Sequence, residues 1–139
     1  MTTPTTLEAI SNALAKKKIG QKTDSNRDWF IYIGYMQAVA DRAICIYPAG
    51  GTPPETHLNV QYPTVQIKVR AGENEFQEAY AKELQIYEFL QAQDAPEQFG
   101  ESYVYCYALT SQPLPLGQDE NRRPTLVRNW RLMQGDGDR

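Results

Sequence analysis

Apolar and polar residues alternate without a break over residues 64–70, which is the clearest strand pattern in the chain. Val65, Ile67 and Val69 fall on one side of this segment, and Gln66 and Lys68 are among the polar residues on the other. Because side chains point alternately to the two faces of a strand, the pattern predicts a strand with one buried face and one wetter face. The glycine- and proline-rich stretch before it marks where the strand begins.

A second alternating segment covers residues 103–109. Tyr103, Tyr105 and Tyr107 are expected to share one face of this strand, with the smaller residues between them on the other. Small side chains allow a helix to pack closely, so the smaller face is expected to meet a helix. The tyrosine face is then predicted to be half-exposed, covered by another layer or buried against a partner.

Two segments have the spacing of amphipathic helices. The first helix is predicted over residues 6–18, with Thr6 as its N-terminal cap. The second is predicted over residues 75–92, with Asn74 as its cap and Gln77 reaching back as a capping-box partner. The apolar side of the second helix, which we interpret as core packing, consists of Phe76, Ala79, Tyr80, Leu84, Tyr87 and Leu90.

The remaining segments complete a predicted two-layer fold. Further strands are predicted over residues 29–33, 43–47 and 125–133, exposed loops over residues 48–62 and 112–124, and a frayed tail over residues 134–139. This order predicts an α+β fold, a two-layer sandwich with a mainly antiparallel sheet of about five strands and two helices packed on one face. The length of 139 residues predicts one domain over residues 1–139.

The composition is typical of a globular protein. Hydrophobic residues make up 41% of the chain and charged residues 22%. No apolar run approaches the roughly 20 residues that a membrane-spanning helix needs, and the first residues lack the pattern of a signal peptide. We therefore expect assembly in the cytoplasm of the cell that makes the protein, without a membrane partner.

The net charge of −3 is unevenly distributed along the chain. Residues 73–101 carry eight acidic residues and one lysine, a local balance of −7. The first 28 residues have a balance of +2 and the last 23 a balance of +1. Such asymmetry suits head-to-tail contacts between copies of the chain, which close into a ring when the rotation permits. An ordinary solvated helix face would give the same acidic segment.

Patterns for catalysis or metal binding are scarce. His57 is the only histidine, so no histidine cluster can hold a zinc ion, and a surface position is expected for it. Ser102 and Ser111 lack the glycines of a nucleophile elbow, and residues 50–52 lack the lysine and spacing of a phosphate-binding loop. We therefore expect no enzyme activity, no metal and no cofactor.

The two cysteines, Cys45 and Cys106, both fall in predicted strands. Neither has the spacing of a metal ligand. A disulfide between neighbouring strands is conceivable, but a reducing compartment favours free buried thiols.

A nucleic-acid-binding sheet is the less favoured alternative. Tyr103, Tyr105 and Tyr107 on one sheet face would resemble the platform on which single-strand binders stack bases. The order of helices and strands differs from the usual arrangement of such modules, and the acidic net charge opposes phosphate binding. We therefore expect no specific nucleic-acid partner.

The chain resembles the bacteriophage tail terminators, a family also known as phage minor capsid or tail completion proteins. The resemblance covers residues from about 29 to 131 and depends on the order of several short pieces. These pieces are Ile33-Gly34-Tyr35-Met36, Ala40-Asp41, Tyr47-Pro48-Ala49-Gly50-Gly51, the strand with its lead-in at residues 62–70, Leu116-Gly117-Gln118-Asp119-Glu120-Asn121, and Asn129-Trp130-Arg131.

The resemblance implies a structural virion protein. Such proteins form a ring, typically a hexamer, at the head-proximal end of the tail tube, where they stop tail polymerisation and provide the surface that joins the tail to the head. The implied partners are other copies of the chain, the tail tube protein and the head–tail connector or neck proteins, all at the head–tail junction of the virion. A head-completion or neck connector protein is the alternative within the same class.

Charge and aromatic content indicate which residues would meet a neighbouring subunit. On the main helix the candidates are Glu78 and Glu83. Their predicted partners on the next subunit are the two consecutive arginines near the last strand, and the tyrosine face would add contact surface. The predicted subunit or partner interface residues are Glu78, Glu83, Tyr103, Tyr105, Tyr107, Arg122 and Arg123.

Overall fold

The computed structural model describes residues 5–22, 29–37, 41–55, 60–91 and 94–135. It contains three helices and six strands within those residues. In chain order they are α1 (Thr6–Lys16), β1 (Phe30–Ile33), β2 (Ala43–Glu55), β3 (Val60–Arg70), α2 (Phe76–Gln91), α3 (Ala95–Phe99), β4 (Tyr103–Ala108), β5 (Leu114–Gln118) and β6 (Pro124–Gln134).

The strands form one sheet in the order β1-β2-β3-β6-β4, and β5 pairs with the first half of β6. All neighbouring strands are antiparallel except β1 and β2. The main cluster of buried apolar residues joins all three helices to one face of this sheet. The predicted α+β sandwich, with helices on one face of a mainly antiparallel sheet, is confirmed.

Helix α1 begins with a capping box. The N-cap is Thr5, one residue before the predicted Thr6. Its hydroxyl accepts the Glu8 backbone N–H, and the Glu8 carboxylate accepts the Thr5 N–H in return. The backbone N–H groups of Thr5 and Glu8, which have no partner within the helix, are thereby hydrogen-bonded. The buried side of α1, which includes Ile10 and Leu14, packs into the core.

Helix α2 begins differently from the prediction. The predicted cap Asn74 has a positive φ of 60° and lies before the helix start at Phe76. The Glu75 carboxylate instead accepts the Gly72 backbone N–H at 2.9 Å and is held by Arg42 at 3.0 Å. The prediction of Asn74 as the cap was wrong. Asn74 has a left-handed backbone conformation and turns the chain into the helix. The Glu75 side chain, not that of Asn74, accepts a backbone N–H of the turn before the helix.

The prediction of a loop over residues 48–62 was wrong. Strand β2 continues to Glu55 and β3 starts at Val60, so most of this glycine- and proline-rich stretch is a β-hairpin. β1 pairs with β2 only up to Ile46. Prolines at positions 48 and 53 therefore lie on an outer edge of the described sheet, where a missing N–H removes no ladder bond. Two register shifts interrupt the hairpin. His57 lies outside the described residues.

Gly51 makes a tight backbone contact within this hairpin. A Cβ built at Gly51 would lie 2.1 Å from the Tyr62 carbonyl oxygen, and the φ of Gly51 is +138°. The neighbouring Gly50 has a φ of +82°, but a Cβ there meets nothing within 4 Å. The two glycines therefore separate the cost of a left-handed backbone from the cost of a clash.

Gly51→Ala is expected to destabilise the protein more than Gly50→Ala. Gly50→Ala bears the left-handed penalty of about 1 kcal/mol. Gly51→Ala adds a backbone clash that the hairpin must relieve by moving, for a further loss of at least ~1 kcal/mol. Urea unfolding of both variants measures the difference, and equal losses would show that the hairpin relaxes without cost.

The predicted loop over residues 112–124 also contains a strand, β5, whose residues are all exposed. Exposure removes the apolar alternation that would have indicated a strand. The predicted tail begins too early, since Gln134 ends β6 and pairs with Tyr103. The Gly135 N–H donates to the Ser102 carbonyl at 2.8 Å. Residues 136–139 lie outside the described residues.

Both cysteines are buried and free, as predicted. Burial raises the pKa of Cys106 to about 12 and also raises the pKa of Cys45. A thiol that stays protonated is a poor nucleophile and metal ligand. Their role is therefore packing.

Candidate assembly surfaces

The sheet has one face that carries no helix among the described elements. We call it the open face, and it holds the side chains that alternate with the core residues of each strand. Its β1–β2 end is covered, where Tyr32, Ala43 and Cys45 form a small buried cluster with Met36 against it. Along the rest of the open face lie Tyr47, Thr64, Gln66, Lys68, Asn129, Arg131, Met133, Tyr105, Tyr107, Leu114 and Leu116.

The three tyrosines of β4 do not share one face, so that prediction was wrong. The pairing of β4 with β6 skips a residue between Tyr103 and Tyr105, which leaves Val104 as a bulge, 54% exposed. An extra residue in one strand switches the face to which the next side chains point. Tyr103 is therefore buried under α3, with its ring 6.1 Å from that of Phe99.

Tyr105 and Tyr107 remain together on the open face, with their ring centroids 5.3 Å apart. Tyr107 lies opposite Arg131 in the ladder, and Arg131 lies opposite Thr64 on the other side. Tyr107 is 36% exposed. A two-tyrosine surface beside a cation is thus available to a partner.

The open face is basic. Strands β3, β4, β5 and β6 contain no aspartate or glutamate, while Lys68, Arg70 and Arg131 all alternate onto this face. The Lys68 ammonium lies 4.9 Å from the centroid of the Tyr47 ring. Arg70 donates to the carbonyls of Gln37 and Asp41 at the covered end.

A cleft of about 290 Å³ lies at the Arg70 end of the open face. Lys68, Arg70 and Asp119 are its charged lining residues, and Met36, Tyr47 and Leu116 are among its apolar walls. Burial lowers the pKa of Arg70, and the nearby guanidinium of Arg123 lowers it further. Asp119 and Asp41 oppose these two effects on Arg70, and the described lining of the cleft carries two cations and one carboxylate.

Glu83 does not reach the surface. It lies on the inner side of α2 and is 2% exposed. Its carboxylate accepts two hydrogen bonds from Arg128 of β6, at 2.6 and 2.8 Å. The Arg128 guanidinium also lies 4.2 Å from the centroid of the Tyr87 ring and donates to the Thr110 carbonyl. The pair joins helix and sheet within the chain.

Arg123 is also buried and paired within its own chain. Its Nε donates to the Asp119 carboxylate at 2.8 Å, and its Nη1 lies 3.3 Å from Asp41. Arg122 and Glu78, in contrast, are exposed. The Arg122 carbonyl accepts the Asn74 N–H at 3.1 Å, so the turn before β6 lies against the start of α2.

Helix α2 exposes an apolar stripe on one flank, formed by Phe76, Tyr80 and Leu84 at intervals of four residues. These side chains are 43%, 38% and 46% exposed. The Phe76 and Tyr80 rings lie 6.2 Å apart, and the Tyr80 hydroxyl donates to Gln112 at 2.7 Å. The predicted core stripe is thus confirmed for Ala79, Tyr87 and Leu90, which pack into or against the core, and wrong for Phe76, Tyr80 and Leu84, which lie at the edge of the molecule.

Two carboxylates in ion pairs have lowered pKa values. Hydrogen bonds from Arg42 lower the pKa of Glu75, and the Gly72 N–H lowers it further. For Asp119, burial raises the pKa, but the backbone N–H and guanidinium of Arg123 outweigh that effect and hold it below its usual value. Both carboxylates are therefore charged in the folded protein under mildly acidic conditions.

The lowered pKa values of Glu75 and Asp119 predict that the folded protein becomes less stable in acid. A group with a lowered pKa in the folded state contributes stability above its unfolded pKa and loses it as the pH falls through the folded value. We expect the free energy of unfolding to fall as the pH drops from about 5 to below 4, and Glu75→Gln to reduce that dependence. Urea unfolding at several pH values measures it, with exposed Glu88→Gln as the matched control. An unchanged slope in Glu75→Gln would contradict the assignment.

The described part of the chain contains no group of three or more histidine, cysteine or acidic residues placed to hold a metal ion. In the same residues no helix combines the length and apolar character of a membrane span.

A sequence model of the family described as bacteriophage tail terminator protein matches residues 13–133. The match spans every strand and helix except the first part of α1 and the end of β6. It confirms the resemblance inferred from the short sequence pieces. No curated protein matches the chain.

Proposed function

The chain belongs to the bacteriophage tail terminator family, whose members are structural proteins of the virion tail, and on that basis we propose that it assembles as a hexameric ring on the head-proximal end of the tail tube. There the ring stops addition of further tube subunits. The side of the ring that faces the head presents the surface to which the head connector or neck proteins attach.

The observation that best supports a ring is the difference between the two layers of the chain. One side of the molecule is an open, basic sheet face, and the other is a helix layer with exposed acidic residues and an apolar stripe. Contacts between unlike surfaces are heterologous, and repeated contacts of that kind close into rings when the rotation allows. The proline-rich β2–β3 hairpin adds a stiff element with little conformational entropy to lose on docking.

We propose that Glu78 on one subunit faces Arg122 on the next. Both side chains are exposed, and neither Glu83 nor Arg123 is carried into this pair, because each is buried against a charged partner in its own chain. A rim pair of this kind contributes to partner choice and association rate more than to affinity.

Charge exchange tests the Glu78–Arg122 pair. Arg122→Glu is expected to weaken ring formation, and Glu78→Arg in the same chain is expected to restore it, because the two charges then face each other in reverse. Native mass spectrometry measures the assembly. Glu101→Arg, also at an exposed position, is the matched control for the second change. A ring unaffected by Arg122→Glu would remove the pair from the interface.

Electron microscopy of phage particles tests the function itself. Without this protein, we expect filled heads and detached tails that are longer than normal, because nothing stops tube polymerisation. Detached tails of normal length would instead indicate a head-completion or neck protein. Normal virions would contradict both functions.

A further inference from the structure

The open face leaves apolar and aromatic side chains in solvent. Leu114 and Leu116 of β5 are 62% and 50% exposed, and Tyr107 of β4 is 36% exposed. Leu114 lies opposite Val127 in the ladder, which lies opposite Lys68. The exposed leucines of β5 and the Lys68 ammonium of β3 therefore lie on the same face of the sheet, with β6 between them. A surface that combines apolar groups with one sign of charge favours a protein partner of the opposite charge.

The outer flank of α2 has the complementary chemistry. Its apolar stripe of Phe76, Tyr80 and Leu84 is followed, one turn further along the same side of the helix, by the exposed carboxylate of Glu88. Residues four apart lie on the same side of a helix, so the stripe is continuous over two turns. It has the form of the amphipathic helix surfaces that other proteins place in apolar grooves.

The two surfaces belong to opposite layers of the same chain. One chain cannot bring them together, because the sheet lies between the open face and α2, and the core fills the space on the helix side. Two copies can do so. Each copy would then offer its α2 flank to one neighbour and its open face to the other.

We propose that the open face is the docking site for a second copy of this chain, and that the docked part of that copy is the exposed flank of α2, with Glu88 at its end. The proposal rests on the proposed ring and specifies which surfaces meet within it. The apolar stripe covers Leu114 and the tyrosines, and the Glu88 carboxylate lies near the cations of the open face, Lys68 and Arg131.

Two single substitutions at exposed positions test this contact. Leu84→Lys places a cation on the α2 stripe, where it would face the basic sheet. Leu114→Asp places an anion on the open face, where it would face the apolar stripe and the Glu88 carboxylate. Each is expected to weaken association roughly tenfold or more. Gln85→Lys and Ser111→Asp introduce the same charges at exposed positions nearby and are expected to assemble normally.

Mixing the two variants gives the decisive result. Sedimentation velocity of Leu84→Lys alone and of Leu114→Asp alone should show unassembled chains. An equal mixture should form pairs of chains, because the intact α2 flank of one variant then meets the intact open face of the other, while the two altered surfaces stop further growth. A mixture that stays unassembled, or either variant assembling like the original chain, would overturn the proposal.

A crosslinking readout is independent of association strength. A photoreactive phenylalanine at position 107 is expected to crosslink to a peptide from residues 76–91 of another copy. Crosslinks to other peptides would overturn the proposed contact and leave the ring intact. A native chain that never assembles would instead count against the ring itself, so the two failures are distinguishable.

Discussion

Glu83→Ala is expected to lower the free energy of unfolding by about 3–5 kcal/mol, because it leaves the Arg128 guanidinium buried without its carboxylate. Both side chains are at most 3% exposed, and two hydrogen bonds join them. A native domain is stable by only about 5–15 kcal/mol in total. The substitution should therefore leave a protein that unfolds at markedly lower urea concentration, as followed by circular dichroism.

Two comparisons separate loss of the ion pair from loss of helix content. Glu88→Ala makes the same change at an exposed position of the same helix and should alter stability by no more than about 0.5 kcal/mol. Glu83→Leu combined with Arg128→Met removes both charges and should recover most of the loss. A double variant as unstable as Glu83→Ala would contradict the argument.

The same ion pair matters for assembly. Arg128 belongs to β6 and Glu83 to α2, so the pair positions the helix on the sheet. The outer stripe of α2 is on the same helix as Glu83. We therefore expect Glu83→Ala to weaken association even under conditions in which the chain remains folded.

Trp130→Ala is expected to cost about 3–5 kcal/mol of stability. Trp130 is fully buried at the centre of β6, the strand that pairs with β3, β4 and β5. Its ring lies 6.0 Å from that of Tyr87 on α2. Truncation would leave a cavity beneath the helix that packed neighbours cannot fill completely.

The control for Trp130 is a smaller change at the same position. Trp130→Phe keeps an aromatic ring against Tyr87 and is expected to cost clearly less than Trp130→Ala. Circular dichroism during urea unfolding is the suitable probe, since fluorescence would lose one of the two tryptophans. A loss below about 1 kcal/mol for Trp130→Ala would show that the core collapses into the space.

The sequence predicted those elements in which one pattern repeats over several residues. The strand at residues 64–70 alternates without a break because β3 has one face against the helices and one on the open side. The main helix was predicted from apolar residues at helical spacing. The family was predicted from the order of short pieces, and the match over residues 13–133 confirms it.

The sequence did not predict every residue that lies inside a correctly assigned element. Glu83 reads as a surface carboxylate, because nothing in the sequence near it indicates that Arg128, 45 residues later, will be its partner. Tyr103 was assigned to the wrong face because a single bulge at Val104 reverses the alternation. Ion pairs and bulges depend on which strands and helices become neighbours.

Residues 48–62 show the same limit most clearly. Taken alone, prolines and glycines at this density predict a loop, because they resist regular pairing. In the fold, β2 pairs with β3 on one side, and beyond Ile46 no described strand pairs with its outer edge. A proline on that edge breaks no hydrogen bond between strands, because its missing N–H would have had no partner strand. The stretch therefore continues as a hairpin. The sequence by itself determined the periodic strands and helices, the two-layer class and the family. Only the tertiary structure decided the hairpin, the buried ion pair and the two surfaces available for assembly, because each depends on neighbours that are distant along the chain.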